Sequence, residues 1–156
     1  MPAVFFFEAT LAERALPPLW RWTLNTLHEP YHVAFEARRG YLLVRVRGPY
    51  DPSIAREVLG TVKQQAQAGG FTRILIDGFE IGAPARELDR FLIGEALAEL
   101  LPCPFKVAFL YKAEWINKFG ENTAVNRGAA VLVCSTEAKA LQWLLGGAEE
   151  TAERER

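Results

Sequence analysis

The stretch Tyr41-Leu42-Leu43-Val44-Arg45-Val46-Arg47-Gly48-Pro49-Tyr50-Asp51-Pro52 decides the fold. Val44 and Val46 alternate with Arg45 and Arg47, the pattern of a strand with one wet face. Gly48-Pro49 ends that strand. Asp51 then offers a side-chain oxygen to free helix amides, and Pro52 suits a first helical position. Ile54, Val58, Val62 and Ala66 follow at i, i+4 spacing and form a narrow apolar stripe fit to pack on a sheet. Gly69-Gly70 stops the helix. Just upstream, His32–Ala37 is strand-like, and Arg38-Arg39-Gly40 reads as a hairpin turn into Tyr41.

Downstream the same alternation repeats. Phe71–Asp77 reads as a short buried strand, followed by a loop containing Pro84. A helix is expected over about Ala85–Leu101, with Leu88, Phe91, Leu92, Ala96 and Leu100 on its packing face. Phe105–Tyr111 is the next strand, and Glu114–Val125 the next helix, with Trp115, Ile116 and Phe119 inward. Ala129–Cys134 is the last strand. Ser135 is expected to cap a final helix carrying Ala138, Leu141, Leu144 and Leu145, which ends at Gly146-Gly147. The order is a β-hairpin followed by αβαβαβα. It implies an α/β domain: a small mixed, mostly parallel sheet with right-handed crossovers, flanked by helices.

Residues 29–147 form this domain and 148–156 a charged tail. Residues 1–28 stand apart. Phe5-Phe6-Phe7, Pro17-Pro18 and Trp20-Arg21-Trp22 follow no clean period, and a short helix over about Leu19–Leu27 is the one local expectation. This segment is an appendage, an upstream extension of a later start, or a piece that packs on the domain or on a second copy.

The chain has 156 residues, which suits one domain with a sizeable core. Its 18 basic and 19 acidic residues leave a net charge of −1, without the basic footprint of a nucleic-acid binder. No apolar run reaches the ~18 residues a membrane span needs. The start has no basic region of the secretory type, so the cytoplasm is the expected location. Cys103 and Cys134 form no C-x-x-C pair, and Cys134 is expected to be a buried small hydrophobe.

Several segments in this order resemble a family. They are Gly40–Gly48, Arg73-Ile74-Leu75-Ile76-Asp77, Asn117–Asn122 running into Asn126-Arg127-Gly128, and Ser135–Leu144 with Glu137-Ala138 and Trp143-Leu144. From about Tyr31 to Leu145 the chain resembles the SpoIIAA-like branch of the STAS domains, the anti-sigma-factor-antagonist superfamily. The resemblance implies a non-enzymatic regulatory module that binds a protein partner. The alternative it carries is a small apolar or anionic ligand, since some relatives are similar to lipid-binding Sec14-type domains. Signalling members carry a phosphorylatable Ser or Thr after the third strand. Here no Ser or Thr occurs between Thr72 and Thr123, so that switch has no hydroxyl to use.

The sharpest chemical string is His28-Glu29-Pro30-Tyr31-His32, a literal H-E-x-x-H. A zinc site of that type needs both histidines one helical turn apart. Pro30 breaks that turn, strand residues follow, and the chain's 2 histidines leave no third histidine. No metal is therefore expected. Neither a P-loop, a dinucleotide fingerprint nor a G-x-S-x-G elbow occurs, so no cofactor and no catalytic residues are expected.

Ligands of parallel sheets bind beyond the strand C-termini. That rule selects Asp77, Phe79, Glu80, Lys112 and Ser135, with Arg127 added as a cation beside a helix end. Three readings of function follow. The first is a regulatory surface made by the Phe79 loop and the next helix. The second is an apolar pocket between the sheet and helix Ala85–Leu101. The third and weakest is an enzyme. A homodimer is an open possibility for the partner.

Overall fold

A computed structural model describes residues 21–25, 31–84 and 86–154. The elements are β1 (Arg21–Asn25), β2 (His32–Arg38), β3 (Tyr41–Gly48), α1 (Pro52–Gly69), β4 (Arg73–Ile81), α2 (Glu87–Leu100), β5 (Lys106–Leu110), α3 (Phe119–Asn126), β6 (Ala130–Cys134) and α4 (Glu137–Arg154). The six strands lie side by side in chain order. β1, β2 and β3 are antiparallel neighbours, and β3 to β6 are parallel.

Three successive crossovers step in one direction, and right-handed crossovers of that kind put their helices on one face. Val58, Val62 and Ala66 of α1, Ala96 and Leu97 of α2, and Ala124 of α3 accordingly close over Val33, Phe35, Val44, Ile74, Ile76 and Val107. Among the described residues α4 covers the other face, where Ala140 and Leu144 pack on Leu43, Leu75, Ala108, Leu110 and the buried Cys134. The α1 entry forms as its residues dictate. Asp51 Oδ1 accepts from the amides of Ser53 (2.9 Å) and Ile54 (3.4 Å). Gly70 closes the helix at φ 71°, a left-handed conformation open to glycine.

The structure departs from the sequence expectations at five places. Residues 21–25, expected within a short helix, are a strand paired with β2. β4 runs past Asp77 to Ile81, because a bulge lets Arg45 pair with Asp77 and Arg47 with Glu80. The helix expected over Glu114–Val125 is split into a 3-10 turn at Ala113–Trp115 and α3. Lys118 takes φ 64° there, and Asn117 Oδ1 accepts from the Phe119 amide at 3.1 Å, so α3 starts anew. α4 continues through Gly146-Gly147 to Arg154. Its cap is not Ser135 but Thr136, whose hydroxyl accepts from the Lys139 amide at 3.4 Å.

Candidate functional site

The six residues selected from sequence do not gather into one site. Asp77 lies within 4.0 Å of Arg45, and Glu80 pairs with Arg47 at 2.9 Å. Both pairs sit on the charged half of the sheet face, and the ladder continues from Arg45 to Glu36 at 3.4 Å. The sequence leaves Phe79 either on an exposed loop surface or folded back onto the core; it lies on β4 and packs against the core under α4. Lys112 stands 4.5 Å over the ring of Trp115. Ser135 follows β6 at the end where the parallel strands finish, whereas Arg127 follows α3 at the opposite end. His32 opens β2, so its backbone is extended. His28, Glu29 and Pro30 lie outside the described residues. Among the described residues no three His, Cys, Asp or Glu side chains come together as a metal site. No helix among them is long and apolar enough to cross a membrane.

What the fold does assemble is a rigid platform of α2 and α3. The two helices cross at glycines. A Cβ on Gly94 would meet the Gly120 carbonyl oxygen at 2.6 Å and Thr123 Cβ at 2.7 Å. Asn117 Nδ2 donates to the Glu87 carboxylate at 2.9 Å, and Arg90 Nη1 donates to the Trp115 carbonyl at 2.6 Å. Asp89, buried at the start of α2, accepts from the Arg86 amide at 3.1 Å.

This crossing turns apolar side chains outward. Leu88 is 51% exposed, Leu92 38% and Phe119 40%. Leu88, Phe91 and Leu92 share one stripe of α2, and the Phe91 ring lies 6.5 Å from that of Phe119. Arg127 borders this surface, 5.1 Å from the Phe91 ring and 3.4 Å from Glu95. Beside it, Pro52, Arg56, Leu92, Glu95 and Glu99 line an open groove of about 520 Å³ between α1 and α2, with Arg56 and Glu99 paired at 2.5 Å. Leu88, Leu92 and Phe119 were assigned to the core from periodicity. The signal against that reading is that α2 carries more large apolar residues than one stripe can bury. Its inner face is filled by Ile93, Ala96 and Leu97.

A second, narrower feature lies at the carboxyl ends of β5 and β6. Tyr50, Arg90, Ile93, Leu97, Phe109 and Tyr111 line a cavity of about 70 Å³. That volume holds roughly two waters, whereas pockets for drug-sized ligands run to about 300–1,000 Å³. The Tyr50 hydroxyl donates to the Asp89 carbonyl at 3.2 Å and the Tyr111 hydroxyl to the Gly82 carbonyl at 2.5 Å. Burial raises both phenols above their ordinary range. Tyr111 reaches about 12, although Arg90 nearby pulls the other way.

Sheet order, helix layering and the placement of α4 on the second face match the fold of a solved anti-sigma factor antagonist. An anti-sigma factor antagonist from Mycobacterium paratuberculosis superposes with a TM-score of 0.50 at 14% identity, over 80% of this chain and 94% of that one. The anti-sigma factor antagonist SpoIIAA in its unphosphorylated form gives 0.46 at 15% identity, over 73% and 96%. No protein-family profile matches the chain, and none of the curated proteins is significantly similar to it.

Proposed function

We propose that this chain is a non-enzymatic regulatory module that docks a protein partner on the outer face of α2 and α3. The observation that carries the reading is the exposure of Leu88, Leu92 and Phe119 together on a platform fixed by the Gly94–Gly120 crossing. Scattered apolar surface residues are ordinary, but a contiguous set on rigid elements has the make-up of an interface centre. Arg127 is the one of the six sequence-selected residues that borders this face. The likeness in fold to an anti-sigma factor antagonist makes an anti-sigma factor the partner class to test first.

Control of the interaction does not run through a hydroxyl in the β4–α2 connection. Residues 82–86 read Gly-Ala-Pro-Ala-Arg and offer no oxygen to phosphorylate. The other reading, a lipid-like ligand, would need the 70 Å³ cavity to grow several-fold.

A photo-crosslinking amino acid at position 92 of the full chain, expressed in its native cells, tests the docking face. A discrete crosslinked protein is expected, and it disappears when Leu88→Glu is added. Equal crosslinking with and without Leu88→Glu contradicts the proposal.

A further inference from the structure

We propose that Lys118 and Glu121, at the start of α3, close the outer edge of β6 to strand addition and so prevent β6-to-β6 pairing between copies of this chain. Among the described residues β6 is the last strand of the sheet. The Cys134 carbonyl accepts from the Tyr111 amide at 3.0 Å, on the side facing β5. By alternation Ala130 and Leu132 also face β5, and the backbone groups of Val131 and Val133 face outward.

Both outward groups of Val133 are taken by side chains. Its amide donates to Glu121 Oε2 at 2.6 Å, and Lys118 Nζ donates to its carbonyl. The same two side chains pair with each other at 2.7 Å. At the start of the strand the Ala129 amide donates to the Ala124 carbonyl of α3 at 3.1 Å. The closed edge is thus held from both ends by one helix, leaving Val131, itself buried, between the two ties.

The need for a guard is legible in the strand itself. Ala130-Val131-Leu132-Val133-Cys134 is uncharged, apolar and β-prone, without the proline or lysine that blunts an edge from within. A two-fold axis would pair such a segment antiparallel with itself. The backbone is also set for the guard. Lys118 sits at φ 64°, ψ 0°, a left-handed conformation uncommon outside glycine, and this conformation accompanies the reach of its amine to Val133.

Full-length Glu121→Ala and Lys118→Gly, made separately, test this. Amide hydrogen exchange at Val131 and Val133 and mass by light scattering are read against the parent. In Glu121→Ala at dilution, where its mass equals that of the parent, the Val133 amide is expected to exchange about 10- to 100-fold faster, the factor for losing a bond to a charged acceptor. Mass is expected to rise with concentration above that of the parent, with Val131 becoming protected as association proceeds. Lys118→Gly permits the left-handed backbone and removes the whole side chain with its amine. A smaller shift in the same direction is expected there, and this variant decides if Glu121→Ala does not fold. Unchanged Val133 exchange at that dilution overturns the proposal. So does faster exchange without added association, or association that leaves Val131 unprotected.

Discussion

Tyr111 shows how one side chain sets a pH limit on this fold. Its phenol is buried, donates to the Gly82 carbonyl, and holds its proton up to about 12. An unfolded tyrosine releases its proton near pH 10. The folded state therefore binds the proton more tightly. The stability this provides is fully present below pH ~10 and is lost as pH rises towards 12. Tyr50 acts in the same sense. Urea midpoints are expected to fall between pH 10 and 12 in the parent and to fall less steeply in Tyr111→Phe. An identical slope in the two proteins would remove Tyr111 from this role.

Residues whose role depends on near neighbours are readable in the sequence. Asp51 caps α1 because its partners are two and three positions away. The choice between Ser135 and Thr136 is not readable, since two adjacent hydroxyls satisfy the same rule and only the helix register selects one. The sequence leaves Phe79 undecided between surface and core for a longer-range reason. β4 continues through a bulge fixed by β3, which no local signal in residues 77–81 announces.

At the scale of elements, the α2–α3 crossing is the joint on which the proposed docking face depends. Gly94→Ala would raise helix propensity yet drive a methyl into the Gly120 carbonyl and Thr123. Gly60, inside α1, has nothing within 4 Å of the same added atom. Urea denaturation is expected to show Gly94→Ala destabilised by about 1–3 kcal/mol, from overpacking. Gly60→Ala is expected to be stabilised by about 0.5–1 kcal/mol. Equal effects at the two positions would mean that the helices do not cross as described.

Element existence follows from periodicity, but the outward turn of α2 does not. Its apolar residues cover more than one stripe, and which stripe faces the sheet is set by Gly94 meeting α3. The break before α3 is hidden for a similar reason. Lys118 is an ordinary helix former, and its left-handed backbone coincides with side-chain contacts across to β6.

For the molecule as a whole, the hairpin followed by three crossovers is readable because each step is local and the handedness rule does the rest. The two unequal faces are not. One α4 covers β4 to β6, while the charged ladder of Glu36, Arg45, Asp77, Arg47 and Glu80 occupies part of that same face. Those pairs are half-exposed and contribute little to stability. The apolar surface of α2 and α3 is the feature of the described residues on which the proposed docking rests.

The most direct test is titration calorimetry of the partner recovered through position 92 against the parent and against Leu88→Glu/Leu92→Glu. Both leucines are exposed, so the melting temperature should stay within a degree or two of the parent. Affinity should fall at least about 10-fold, as expected for removing central apolar anchors. A folded double variant that binds as tightly as the parent would contradict the α2–α3 docking face.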